Sequence, residues 1–75
     1  MQTLVFNTKT KTVTVYEGKE ESSTILYSFV DVPTVKIIDN RGYYEVMKKV
    51  TIDGIENRVP VARFPISNTN MLIQN

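Results

Sequence analysis

The chain has no cysteine and no histidine, and only three of its 75 residues are glycine. Each absence removes a class of chemistry. Without cysteine there is no disulfide scaffold, no thiol nucleophile and no thiolate metal ligand. Without histidine there is no imidazole general base and no His-dependent triad. Gly18, Gly42 and Gly54 stand too far apart to form a phosphate-cradling loop. A metal site would have to be built from carboxylates alone. Glu17, Glu20 and Glu21 are clustered, but their spacing matches no calcium loop, and they read as a solvated acidic loop. A paired-carboxylate hydrolase needs a cleft, which a chain of this length rarely builds. No enzyme activity, cofactor or metal is expected. No stretch approaches the roughly 20 apolar residues of a membrane-spanning helix. The start lacks a basic segment followed by an apolar run, so no signal peptide is expected. The chain opens on Met1 without an obvious tag, and reads as a complete small product that stays in the cytoplasm of the producing or host cell.

Charge is nearly balanced. Nine basic residues face eight acidic ones, for a net charge of +1. That is too even for a general binder of nucleic acid or membrane surfaces. Divided before Val35, the first part carries Lys9, Lys11 and Lys19 against Glu17, Glu20, Glu21 and Asp31. The second carries Lys36, Arg41, Lys48, Lys49, Arg58 and Arg63 against Asp39, Glu45, Asp53 and Glu56. The polarity is weak, and a solvated surface accounts for it.

What the chain does have is a β-meander from Thr34 to Phe64. Val35 and Ile37 alternate with Lys36, as on a half-buried strand. Asp39-Asn40-Arg41-Gly42 reads as a turn, with Gly42 supplying the tolerance for positive φ. Between Tyr43 and Ile52, the residues Tyr44, Val46, Val50 and Ile52 share one face. Lys48 interrupts that face, and a bulge near Lys48-Lys49 would turn it outward. Asp53-Gly54 is the strongest hairpin signal. The return strand has Ile55, Val59 and Val61 in phase, with Pro60 expected at an edge or a bulge because it cannot donate to a ladder.

Around this centre lie shorter segments. Met1 to Phe6 and Lys11 to Tyr16 form an opening hairpin about Asn7-Thr8-Lys9-Thr10, with Leu4, Phe6, Val13 and Val15 inward. Glu17 to Thr24 reads as a loop, with a short helical turn as the alternative. Ile25 to Val30 is an apolar run that suits a buried strand. After Phe64, Ser67, Asn68, Thr69 and Asn70 favour one 3₁₀ turn, and Met71-Leu72-Ile73 a closing strand. The whole reads as one all-β domain over residues 1–75. The expected architecture is a small barrel of short antiparallel strands with a 3₁₀ turn before the last. That order is the one found in SH3-like barrels. It is an analogy of topology, since no motif of the signalling SH3 family is present. A five-stranded OB-like barrel is the alternative. Such a chain buries only about 60% of its unfolded surface, with no disulfide or zinc to staple it.

Elimination then favours a non-enzymatic protein-binding module, an accessory or inhibitory protein that occupies a partner's surface. Short, cysteine-free chains rich in Thr, Asn and Lys are common among viral and mobile-element products. Two groups are candidate contact residues. Arg41 and Tyr43 stand together, Tyr43 facing out because Tyr44 is in phase with Val46; Tyr and Arg are favoured at interface hot spots. Lys48, Lys49, Arg58 and Arg63 lie on the paired strands of the Asp53-Gly54 hairpin, and nearby Tyr43 and Phe64 offer stacking surfaces for a single-stranded nucleic acid. Glu45 and Glu56 on the same strands explain these cations equally well as cross-strand ion pairs. A third reading is self-association, as a homodimer or a structural subunit paired through an open sheet edge.

Overall fold

The computed structural model describes residues 1–21 and 24–75. It holds seven strands and one 3₁₀ turn, in the order β1 (Gln2–Asn7), β2 (Thr12–Glu17), β3 (Ile25–Phe29), β4 (Thr34–Ile38), β5 (Tyr43–Ile52), β6 (Ile55–Pro65), the 3₁₀ turn (Ile66–Asn68) and β7 (Thr69–Gln74). Two sheets result, β3-β2-β1-β7 and β4-β5-β6.

The opening hairpin forms as its Thr-Val alternation dictates. Leu4 pairs with Val15 and Phe6 with Val13, so all four side chains point to the core. The turn is set by Asn7, whose Oδ1 accepts hydrogen bonds from the amides of Lys9 and Thr10, each at 3.0 Å. The meander is also present. Its distal turn has φ of 51° at Asp53 and 77° at Gly54, two positive values in a two-residue loop, as a type I′ hairpin turn requires.

Leu4, Phe6, Val13, Val15, Val32, Val46 and Phe64 form the buried cluster, with Phe29, Val35, Tyr44, Ala62 and Met71 packed against it. Val32 is the one core residue held on a loop. Its N–H donates to the Lys11 carbonyl at 2.9 Å, while the neighbouring Asp31 carbonyl accepts the Lys49 N–H at 2.7 Å. The segment between β3 and β4 therefore ties the two sheets together. On the far side of the four-stranded sheet, Gly18–Glu21 are held across the strands. The Thr3 hydroxyl donates to the Gly18 carbonyl, Asn70 Nδ2 to the Lys19 carbonyl and Gln74 Nε2 to Glu21 Oε1. Thr3 and Val5 on the central strand are accordingly buried although they face away from the core.

Several expectations are corrected. The Ile25–Val30 run forms a strand, but not a buried one: Ile25, Leu26, Tyr27 and Val30 are 58%, 43%, 52% and 54% exposed. It pairs only with β2 and so lies at the edge of its sheet. The bulge lies not at Lys48-Lys49 but on the partner strand. Val46 pairs with Ala62 and Met47 with Pro60, which leaves Val61 unpaired. Pro60, which has no N–H, flanks that break. Lys48 keeps the phase of Val46, and its ammonium reaches out to donate to the Val30 carbonyl at 2.8 Å. The positive φ of the proximal turn falls on Asp39, Asn40 and Arg41, not on Gly42. The strands are not all antiparallel: β7 runs parallel to β1, from Gln2 beside Thr69 to Asn7 beside Gln74. The 3₁₀ turn carries the chain from the end of β6 across to the start of β1, so the last strand has to run with the first. Glu17 closes β2, and the middle of the expected Glu17–Thr24 loop, Ser22 and Ser23, lies outside the described residues. Among the described residues no ladder joins the two sheets, so hydrogen bonds do not close a barrel. Edge strands β3 and β6 meet through side chains, with the Tyr27 and Phe64 rings 5.7 Å apart.

Candidate functional site

Alternation along β4, β5 and β6 decides which face each candidate residue occupies. Val35, Val46 and Ala62 form one cross-strand row and Ile37, Tyr44 and Phe64 another, both on the core side. The opposite face carries the rows Ile38–Tyr43–Pro65, Lys36–Glu45–Arg63 and Thr34–Met47–Pro60, and then the pair Lys49–Arg58. Tyr44 thus packs on the core and Tyr43 is 39% exposed on the outer face, as the phase argument requires.

The outer face brings together Tyr43, Arg63, Lys49 and Arg58, and adds Lys36, which sequence reasoning did not single out. Its signal was available: Lys36 alternates with Val35 and Ile37, and so had to share a face with Tyr43 and Glu45. Arg41 stands at the Asp39–Gly42 turn at one end of this sheet. Lys48 separates from the group, since it lies in core phase and is committed to Val30.

The cations differ in how far they are neutralised. Arg63 Nε donates to Glu45 Oε2 at 2.9 Å, and its Nη1 lies 3.9 Å from Asp39 Oδ2. Glu45 is only 8% exposed, covered between the Lys36 and Arg63 strands, so this pair is the better protected one. Lys49 Nζ lies 3.7 Å from Glu56 Oε1, with both side chains half exposed, where solvent screening leaves little net energy. Among the described residues no carboxylate is within ion-pair distance of Lys36, Arg41 or Arg58. Lys49 and Arg58 stand directly opposite each other, a like-charge arrangement that disfavours the sheet.

Beyond this face the β5–β6 hairpin continues past the last β4 partner, Met47. There Ile52 and Ile55 flank the type I′ turn with 54% and 66% of their surfaces exposed. No cavity opens on the described surface, and among the described residues no three carboxylates converge on a common point. No helix is long and apolar enough to cross a membrane.

Comparison with known proteins adds no template: no family model matches the sequence, and no curated protein and no solved structure is significantly similar to it.

Proposed function

We propose that this chain is a non-enzymatic protein-binding module, an accessory or inhibitory protein that lays the outer face of the β4-β5-β6 sheet against an acidic patch on another protein. One observation carries the reading: Lys36, Arg58 and Lys49 share that face with too few carboxylates to neutralise them, and two of them oppose each other across the strands. A partner's carboxylates relieve that repulsion and raise the encounter rate. Tyr43 and Arg41 at the proximal end supply the aromatic and guanidinium contacts that anchor interfaces. Glu45 and Glu56 interrupt the cations. A partner with discrete carboxylates accommodates those two groups, whereas a continuous phosphate backbone meets repulsion at both.

The test is affinity capture from source-cell lysate on immobilised chain, with and without nuclease, comparing the native protein with a Lys36→Glu/Arg58→Glu variant and with Tyr43→Ala. The expected result is a protein partner that survives nuclease, is lost with the charge-reversed pair, and is weakened by Tyr43→Ala at an unchanged thermal midpoint. Capture that vanishes with nuclease and falls steeply with salt replaces this reading with single-stranded nucleic-acid binding.

A further inference from the structure

We infer that the free edge of β3 takes an extended, uncharged strand from another protein, which extends the four-stranded sheet to five. Exposed edge strands are usually guarded by lysine, by proline or by a covering segment. From Thr24 to Val30 the chain carries no charge and no proline. Ile25, Leu26 and Tyr27 lie on that strand more than two-fifths exposed. Two features guard it in part: the bulge at Leu26, where the pairing slips between Val15–Tyr27 and Tyr16–Ile25, and Lys48, whose ammonium donates to the Val30 carbonyl just past the end of the strand. From Tyr27 to Phe29 the strand is regular, and that stretch sets the register of an incoming strand. The other edge of the seam differs: β6 carries Pro60 and the bulged Val61, so it offers a poor template.

The faces of β3 define the ligand. Tyr27 and Phe29 pair with Val15 and Val13 on the core side, while Ser28 pairs with Thr14 on the outer side. Along Tyr27–Phe29 an added strand meets apolar neighbours on one face and the Ser28 hydroxyl on the other, with Ile25, paired to Tyr16, adding an apolar group to that outer face. It fits best when β-branched apolar residues alternate with Thr or Ser, the pattern of β2 itself. A charged segment would bury its charge beside Tyr27 and Phe29 without a partner.

Area argues against a second copy as the occupant. A stable dimer covers about 800 Å² on each partner. A five-residue edge spans roughly 17 Å, and its few half-exposed side chains fall well short of that area. A single extended segment needs only the edge, because main-chain hydrogen bonds supply its affinity and alternate side chains its selectivity.

The experiment titrates the ¹⁵N-labelled chain with an acetylated, amidated Thr-Val-Thr-Val-Thr-Val-Thr peptide and with the same peptide N-methylated at alternate residues. The expected result is saturable shifts and slowed amide exchange confined to Tyr27–Val30, absent with the N-methylated peptide. Ser28→Lys, at an exposed position, should weaken binding by about tenfold or more through the charge that guards natural edges, without moving the thermal midpoint. Lys36→Glu/Arg58→Glu should leave this binding intact, which separates it from the outer-face site. Protection on β7 instead of β3, no saturable binding, or a sedimenting dimer whose β3 amides are protected without peptide would overturn the inference.

Discussion

At the scale of single residues, the turn between β4 and β5 concentrates the backbone strain. Asp39, Asn40 and Arg41 hold φ of 52°, 54° and 67°, and the Gly42 N–H donates to both Ile38 and Asp39 carbonyls at 3.0 Å. This is one left-handed turn, which costs a residue bearing a Cβ roughly 1–2 kcal/mol. Asp and Asn are the residues with a Cβ that tolerate this region best; Arg41 has no such preference. Gly42 is needed for a different reason. Its own φ is not positive, but a Cβ there would stand 3.0 Å from the Asp39 carbonyl oxygen. Arg41→Gly should therefore raise unfolding free energy by about 1 kcal/mol while weakening partner capture, and Gly42→Ala should lower it by a similar amount. Urea titration of both variants checks this. If Arg41→Gly proves destabilising, Arg41 is not strained, and no stability is given up there for partner contact.

At the scale of elements, the alternation of small β-branched residues made β1, β2 and the β4–β6 meander legible, because period-2 patterning is a local property. Asp53-Gly54 fixed its own turn for the same reason. β3 was misread because its composition is that of a buried strand; only the sheet order reveals that, among the described residues, no strand but β2 pairs with it. The parallel β7 was equally invisible, since its direction follows from where the 3₁₀ turn delivers the chain. The outer-face site was legible in its residues but not in its membership. Lys48 left it because the Val30 carbonyl, distant in sequence, claims its ammonium. The β5–β6 arm shows the limit of phase arguments most clearly. Val50, Ile52, Ile55 and Val59 alternate correctly, yet the arm outruns the core they were expected to cover. The radius of gyration of 12.5 Å exceeds the about 11 Å of a compact chain this long. A two-stranded ribbon by itself is marginal in water. Amides from Val50 to Arg58 that pair only within the arm should exchange through local opening, well before those of β1 and β2. Hydrogen exchange followed by NMR tests it; arm protection equal to that of β1 would mean that the tip is covered.

At the scale of the whole molecule, stability depends on a few connections between two sheets that, among the described residues, share no ladder. One is the corner from Val30 to Pro33. Val32 has no exposed surface, and its loop reaches the first sheet through Lys11 and the second through Lys48 and Lys49. Without a disulfide, a chain of this size has only about 3–5 kcal/mol to lose. Val32→Ala removes two buried methyl groups between the sheets and should cost roughly 2 kcal/mol. That is about half the total, equivalent to a fall of roughly 8–16 °C in thermal midpoint. Val30→Ala, two residues away but more than half exposed, should move the midpoint by a few degrees at most. The contrast separates plugging the core from merely shortening the corner. If Val32 couples the sheets, far-UV circular dichroism and tyrosine fluorescence should still report one coincident transition in the variant, shifted as a unit. Two separated transitions would show that each sheet melts by itself. Cooperativity would then have to come from the side-chain core alone, with the corner acting only as a tether.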